Sequence, residues 1–233
     1  MAENRSIFHF KQFALAHGNP GLKITTEACL FGAWSAQFPQ NNTLDIGTGC
    51  GLLVCMLAQA HPNSQFTGIE IQADVAELAQ TNVAEKSNIR IHSLDLARAT
   101  GQYDFIIANP PFFINHLKNS IDSKNLAMHG ETLGPKELAE GIHRLLIPKG
   151  KFTVLYPPVG MKQFEAEAKK LGLYINQVCS VHHQAGRETL RLMAQGSFFE
   201  SPSVKQNLSI KKADESYTTE FINLLKPYYL IFD

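Results

Sequence analysis

The glycine-rich segment after residue 45 constrains the fold of this chain more than any other feature. An apolar run ending at Ile46 is followed by glycines at the alternate positions Gly47, Gly49 and Gly51. A second apolar stretch starts directly after the last glycine. Glycine adopts positive φ angles and has no Cβ, so such a turn lets the backbone approach a ligand closely. The segment predicts a strand, a ligand-binding turn and a helix over residues 43–60.

The spacing of these glycines differs from that of a dinucleotide-binding turn. That turn has the pattern G-x-G-x-x-G, with an acidic residue about twenty positions further on. Here the third glycine, Gly51, comes one residue early, and Leu52 stands where the last glycine is needed. The turn therefore does not match the dinucleotide type.

Polar side chains stand at the ends of four successive apolar runs. The first three runs carry Asp45, Glu70 and Asp95, and the fourth ends in Asn109. Each acid alone could be a helix cap. As a series they predict a binding site at the carboxyl ends of parallel strands, where open α/β sheets bind ligands.

The tetrapeptide Asn109-Pro110-Pro111-Phe112 follows the fourth run. Two prolines in series remove two backbone donors and fix φ, so the carbonyls of Asn109 and Pro110 are directed outward. An amino group that donates to the Asn109 side-chain oxygen and to the Pro110 carbonyl keeps its lone pair free to attack a methyl group. The other interpretation is a simple turn after a buried strand.

Together the two motifs resemble those of class I S-adenosylmethionine-dependent methyltransferases. In that group D-x-G-x-G-x-G is the cofactor turn and N-P-P-F marks members that methylate amino nitrogens. Residues 8–13 and 22–34 are similar to the F-x-F-K-Q-F and M-K-v-x-T-D-g-v-L-L-G-A-W segments of the bacterial tRNA(Val) adenine-37 N6-methyltransferase family. Residues 217–230 resemble that family's carboxyl-terminal segment. Glu27 replaces an Asp and Leu22 a Met, and both substitutions keep the chemistry.

The resemblance implies S-adenosylmethionine as cofactor, S-adenosylhomocysteine as product and no metal. Gly47 and Gly49 then lie near the methionine and ribose portions, and Glu70 binds the ribose hydroxyls. Ile71 lies beside the adenine, and Asp95 accepts from the adenine amino group. The full set of implied cofactor-binding residues is Lys23, Thr25, Thr26, Asp45, Gly47, Gly49, Gly51, Glu70, Ile71, Asp95, Leu96 and Asn109.

The resemblance also implies that Asn109, Pro110, Pro111 and Phe112 are the catalytic residues and that Phe112 stacks on the target base. The implied activity is methylation of the N6 amine of adenine 37, 3′ of the anticodon, in tRNA(Val). Alternatives are N2-methylation of a guanine in rRNA, N5-methylation of a protein glutamine, or a cofactor-binding regulator without turnover. His129 is a candidate base that the reaction does not require.

The pattern along the chain predicts an α/β fold. We expect a doubly wound, Rossmann-like, seven-stranded sheet, mostly parallel with an antiparallel hairpin at its edge. We expect one domain over residues 1–233, with a covering segment (1–42), a catalytic core (43–200) and a carboxyl-terminal extension packed on the core (201–233). Strands are predicted at 43–46, 65–70, 89–93, 103–108, 151–156, 174–181 and 188–195, and helices at 26–37, 51–60, 73–84, 135–146 and 160–171.

Composition agrees with a globular protein, since 233 residues with 44% hydrophobic content can bury a full core. We find no membrane-span or export pattern, and therefore expect a cytoplasmic protein without an obligate protein partner. The four cysteines form no C-x-x-C pair, so we expect reduced core residues. The charge is 6 − 9 = −3 for residues 1–111 and 15 − 12 = +3 from residue 112 onward. This excess is too small to establish RNA binding, so the tRNA assignment depends on the resemblance.

Overall fold

The computed structural model describes residues 6–17, 23–111 and 133–232. A short 3-10 helix, Leu96–Arg98, lies between the fifth and sixth strands. In chain order the strands and α-helices are β1 (Ser6–His9), β2 (Ala14–His17), α1 (Thr26–Ser35), β3 (Asn42–Ile46), α2 (Leu52–Ala60), β4 (Gln65–Glu70), α3 (Ala73–Asn82), β5 (Ile89–Ser93), β6 (Tyr103–Ala108), α4 (Pro135–Leu145), β7 (Leu146–Tyr156), α5 (Pro158–Lys170), β8 (Tyr174–Gln184), β9 (Thr189–Ser197), β10 (Val204–Lys211) and α6 (Thr219–Leu225).

The main sheet has eight strands in the order β10-β8-β9-β7-β6-β3-β4-β5. Strand β9 is antiparallel to both of its neighbours, and every other pair is parallel. The chain runs outward from β3 through β4 to β5 and then crosses back to β6 on the other side of β3. This reversal beside β3 is the point at which open α/β sheets bind ligands.

The predicted α/β class is confirmed, but the predicted count of seven strands is wrong. Strand β10 pairs with β8 along most of its length, so the antiparallel pair β8–β9 does not lie at the edge. Strand β10 has little hydrophobic pattern in the sequence, because its first four residues are exposed and only Leu208 and Ile210 are buried. An edge strand has a partner on one side only, and polar residues there protect against unwanted pairing.

Two hydrophobic layers cover the sheet. Helices α1, α2 and α3 pack on one face, and α4 and α5 pack on the other. Side chains alternate along β3, so Leu44 and Ile46 face the α4–α5 layer, whereas Asp45 points toward the α2 side. The four cysteines are buried and free, in agreement with the predicted core placement.

Strands β4, β5 and β6 have the predicted bounds, and the predicted helices are each within two residues of the observed ends. The hairpin β1–β2 and helix α6 were not predicted. The segment after β1 contacts the segment after α6, because the Lys11 amide donates to the Tyr228 carbonyl at 2.8 Å. The division into covering segment, core and extension stays a prediction. Within the described ranges, no helix is both long enough and apolar enough to cross a membrane.

Candidate active site

The carboxyl ends of four neighbouring strands place the predicted site residues in one row. Ile46 of β3 pairs with Ala108 of β6 on one side and with Ile69 of β4 on the other. The residues that follow these partners are Gly47, Asn109 and Glu70, so they are neighbours across the sheet edge. Strand β5 extends the row to Asp95. Since adjacent strands lie about 4.8 Å apart, the row spans roughly 14 Å.

The glycine-rich turn has the backbone conformation that its sequence predicts. Gly47, Gly49 and Gly51 have φ angles of 70°, 56° and 86°. The amides of Gly47 and Thr48 both donate to the Ile69 carbonyl, at 2.9 and 3.0 Å. A Cβ atom built on Gly47 would meet nothing within 4 Å. The turn therefore borders open space directly above the end of β3.

Asp45 lies buried beneath this turn. Its Oδ2 accepts from the Thr48 hydroxyl at 2.7 Å, while Oδ1 has no hydrogen-bond partner among the described residues. Burial raises the pKa of this carboxyl to about 7, and the charge of Glu70 adds to the rise. The Thr48 hydroxyl and the nearby Val54 amide act in the opposite direction. Asp45 therefore stabilises the turn through Thr48, and its Oδ1 has no partner among the described residues.

Glu70 contacts the turn from the neighbouring strand. Its Oε2 accepts from the Gly49 amide at 3.2 Å, and its Oε1 accepts from the Gln72 amide at 3.1 Å. The next residue, Ile71, is 48% exposed. A carboxylate beside an exposed apolar side chain suits a ribose followed by a flat base.

Asp95 and Leu96 form the far end of the row. The Asp95 side chain caps the 3-10 helix by accepting from the Ala97 amide at 2.9 Å. Leu96 is buried against Gly141 of α4, where a Cβ would approach its methyl groups to 2.6 Å. Asp95 is exposed and keeps lone pairs for a ligand.

Asn109 lies at the other end of the row and differs from the acids in its surroundings. It is half-buried, Pro110 is buried and Pro111 is exposed. The Asn109 side chain makes no hydrogen bond with the described part of the chain, and its role as an acceptor for the substrate stays a prediction. Phe112 and His129 lie outside the described residues, and their roles stay predictions.

The three predicted residues of the amino-terminal segment lie at the start of α1. Thr25 is its N-cap, because its hydroxyl accepts from the Ala28 amide at 3.2 Å. Lys23 and Thr26 are exposed. Across the described ranges, none of the three makes a hydrogen bond to the glycine-rich turn. The structure gives Thr25 a structural role and leaves the predicted contact with the methionine tail untested.

Sequence reasoning missed several residues that support the row. Gly68 allows β4 to lie against Thr48, because a Cβ there would come within 2.9 Å of it. Asn82 bonds the Cys50 carbonyl of the turn at 2.8 Å. Arg144 donates to the carbonyls of Leu96, at 2.7 Å, and Ala99. A glycine inside an apolar strand signals close approach, whereas the other two contacts join residues distant in sequence.

Comparison with known proteins places this arrangement in a family. The methyltransferase small domain matches residues 27–132. The chain is 34% identical to the tRNA1(Val) (adenine(37)-N6)-methyltransferase of Phocaeicola vulgatus, over 96% of this chain and 97% of the relative. It is 32% identical to the protein of that name from Pseudoalteromonas translucida, over 96% and 98%. The chain belongs to the tRNA1(Val) (adenine(37)-N6)-methyltransferase family.

Solved structures support the fold of this methyltransferase. A predicted O-methyltransferase from Agrobacterium tumefaciens aligns with a TM-score of 0.65 at 15% identity, covering 84% of this chain and 94% of that one. A methyltransferase from Pyrococcus furiosus aligns with a TM-score of 0.58 at 18% identity, covering 80% and 89%. The family predicted from the sequence motifs is confirmed, and with it the Rossmann-like methyltransferase fold.

The site residues of this methyltransferase fit S-adenosylmethionine, the cofactor of the family. The open space above Gly47, the unpartnered oxygen of buried Asp45 and the exposed Ile71 suit a ligand with an amino-acid tail, a ribose and an adenine. Within the described ranges, no group of three or more His, Cys, Asp or Glu side chains is arranged to bind a metal ion.

Proposed function

We propose that this protein transfers a methyl group from S-adenosylmethionine to the N6 amine of adenine 37 in tRNA1(Val). The near full-length similarity to enzymes of that name supports this substrate. The predicted alternatives, an rRNA guanine and a protein glutamine, have no comparable support among these relatives.

The observation that carries the proposal is the register of β3 and β6. Ile46 pairs with Ala108, so Gly47 of the cofactor turn and Asn109 of the Asn-Pro-Pro segment leave the sheet side by side. Adjacent strands are about 4.8 Å apart. A methyl donor on the turn and an amine at Asn109 would therefore be held at neighbouring strand ends.

The protein contributes mainly orientation. The Asn109 Oδ1 atom and the Pro110 carbonyl each accept one hydrogen of the adenine amine, which directs the nitrogen lone pair away from both acceptors. Holding the two reactants in line converts a bimolecular encounter into an intramolecular step, which accelerates reactions greatly. Two prolines restrict the backbone dihedral angles, so this segment loses little conformational entropy when the substrate binds.

When bound, S-adenosylmethionine supplies a methyl group on a positively charged sulfur that leaves as a neutral thioether. The amine nitrogen forms the new bond to carbon, and its extra proton is acidic enough to pass to water. No described side chain is needed as a base. Asn109 retains its hydrogen bond to the amine throughout and so maintains the alignment.

The target base has to lie outside a helical stack. Extruding a paired base costs a few kcal/mol, and an unpaired loop nucleotide largely avoids this. Phe112, which is outside the described residues, is predicted to stack on the base, a contact worth about 1–3 kcal/mol in single-strand binders. Adenine 37 in the anticodon loop fits these requirements.

Four basic residues of the described chain are engaged in other contacts or lie away from Asn109. Arg144 is engaged with backbone carbonyls, and Lys170 pairs with Glu167 at 2.7 Å. Lys149 and Lys151 lie toward the amino end of β7, away from Asn109. We propose that the neighbourhood of Asn109 positions the tRNA. We infer a cytoplasmic location, with which a tRNA substrate is consistent.

Incubation with radiolabelled S-adenosylmethionine tests the proposal. Total tRNA, total rRNA and protein extract are offered separately, and the modified nucleotide is then mapped. We expect label in tRNA1(Val) only, as N6-methyladenine at position 37. A tRNA1(Val) transcript with guanine at position 37 is the matched control and should accept no label. Label in rRNA or protein, or equal label in the control transcript, would contradict the proposal.

A further inference from the structure

The Asn82 side chain joins the amino-terminal hairpin to the glycine-rich turn. Asn82 is the last residue of α3. Its Oδ1 accepts from the Ala16 amide at 3.0 Å, and its Nδ2 donates to the Ala16 carbonyl at 2.8 Å. The same Nδ2 donates to the Cys50 carbonyl, also at 2.8 Å. One carboxamide thus bonds the backbone amide and carbonyl of Ala16 in β2 and the carbonyl of Cys50 in the turn.

The orientation of this carboxamide follows from its partners. The Ala16 amide can only donate, so it requires the Asn82 oxygen. The two carbonyls, of Ala16 and Cys50, can only accept, so they require the Asn82 nitrogen. Both hydrogens of the nitrogen and one lone pair of the oxygen are therefore used. Aspartate cannot reproduce this set of bonds because it has no donor when ionised, and alanine makes none of them.

The end of α3 also packs on the turn beside Cys50. Gly51 has a φ of 86°, and a Cβ there would lie 3.5 Å from Val83 and 3.8 Å from Ala79. The position of the turn thus depends on the end of α3. Nothing else in the described chain bonds the Cys50 carbonyl outside the turn and α2, so Asn82 is the link that fixes this point.

We propose that Asn82 is a positioning residue for cofactor binding: it fixes the glycine-rich turn at Cys50 and the strand β2 beside it. The inference rests on the proposed function only in taking S-adenosylmethionine as the ligand of the turn. Asn82 acts through the backbone of Cys50 and does not itself contact the cofactor. Loosening the turn should weaken the cofactor complex and leave the amine-binding side at Asn109 intact.

Calorimetric titration with S-adenosylhomocysteine, without any RNA, tests this inference. We expect Asn82→Ala to bind about tenfold more weakly than the natural chain, since it loses all three hydrogen bonds. Asn82→Asp should show a similar loss, because it keeps an acceptor for the Ala16 amide but no donor for Cys50. With tRNA, the KM for S-adenosylmethionine should rise while kcat stays within about twofold.

Asn88→Ala is the matched control. The Asn88 Nδ2 donates to the carbonyls of Ser64, at 3.0 Å, and Pro62, at 3.4 Å, near the amino ends of the strands. Removal of the Asn88 carboxamide should lower Tm as Asn82→Ala does, but it should not change the affinity for S-adenosylhomocysteine. Equal weakening by both variants, or unchanged affinity in Asn82→Ala and Asn82→Asp, would overturn the inference. If the natural chain binds S-adenosylhomocysteine but does not methylate tRNA, the proposed function fails and this inference stands.

Discussion

The two ends of the site differ in how far the protein has already satisfied their polar groups. At the cofactor end, Asp45 accepts from Thr48, and both Glu70 oxygens accept from backbone amides. At the substrate end, the half-buried Asn109 carboxamide has no such partner among the described residues. The predicted cofactor end is thus ordered by internal hydrogen bonds, whereas the Asn109 carboxamide at the predicted substrate end is not ordered in this way by the described residues.

This difference shows how the same sheet edge can serve two ligands. A cofactor that must bind in one orientation needs a turn of fixed shape, and a network of buried hydrogen bonds provides it. A base that arrives within a large RNA needs acceptors on a rigid backbone, and Pro110 and Pro111 restrict the backbone directly after the half-buried Asn109. Substitutions at the two ends should consequently change different measurable quantities.

Substitution of Asn109 should have the largest effect and should separate the two ends most clearly. In Asn109→Ala, the amine loses one of its two acceptors and its alignment, so we expect kcat for tRNA methylation to fall about 100-fold. Affinity for S-adenosylhomocysteine should stay within about threefold. Single-turnover methylation and calorimetry measure the two quantities. Near-normal turnover would remove Asn109 from the mechanism.

Substitution of Gly68 tests whether close packing maintains the cofactor end. An added Cβ would lie 2.7 Å from an Ile91 methyl carbon and 2.9 Å from Thr48, so Gly68→Ala should destabilise the protein by about 2 kcal/mol. It should also weaken cofactor binding, because Thr48 bonds Asp45. Gly150→Ala, which crowds Leu146 at 2.6 Å away from the site, is the control. If both variants lower Tm and affinity equally, local crowding is not the cause.

Removal of the Glu70 carboxylate should affect the cofactor end alone. Glu70→Ala leaves the amides of Gly49 and Gln72 without their acceptor and removes the predicted ribose ligand. We expect affinity for S-adenosylhomocysteine to fall about tenfold, as measured by calorimetry. Glu77→Ala, an exposed substitution on α3, should leave it unchanged. Unchanged affinity in Glu70→Ala would contradict the ribose role.

The smallest expected effect is a pH-dependent gain in stability when Asp45 is replaced by asparagine. Burial raises the pKa of Asp45 from 3.8 to about 7, so the folded state binds more protons than the unfolded state between these values. The contribution of Asp45 to stability therefore decreases as pH rises from about 4 to 7. Asp45→Asn should be more stable than the natural chain at pH 8 by about 1 kcal/mol, roughly 2–4 °C in Tm. The gain should vanish near pH 4, and an equal gain at both pH values would contradict the assignment.

The sequence predicted the cofactor end better than the far side of the sheet. Strands β4 and β6 have a strand on each side and helices on both faces, so they appear as apolar runs with clear ends. Strand β5 lies at the edge of the sheet, but its buried Ile89 and Ile91 alternate with exposed residues, a period that the sequence shows. Strand β10 has one strand neighbour and an exposed first half, which left little pattern to detect. The residues that follow β1 and α6 are joined by an antiparallel bridge between Phe10 and Tyr229. Such a pair connects segments that are distant in sequence.

Within the site, residue types and their order along the chain predicted Asp45, Gly47, Glu70 and Asn109 as a group. Sequence spacing could not predict that Asn82 bonds Cys50 or that Arg144 bonds the carbonyl of Leu96. These contacts connect residues 32 and 48 positions apart. They depend on how helices pack across the sheet.

The sequence by itself determined the turn conformation, the strand ends and the family, because glycine, proline and apolar runs act on the local backbone. Only the tertiary structure decided which strand ends are neighbours, that β10 extends the sheet, and which side chains stabilise the turn from behind. Register between strands and packing between helices join distant segments, and short-range patterns do not carry that information.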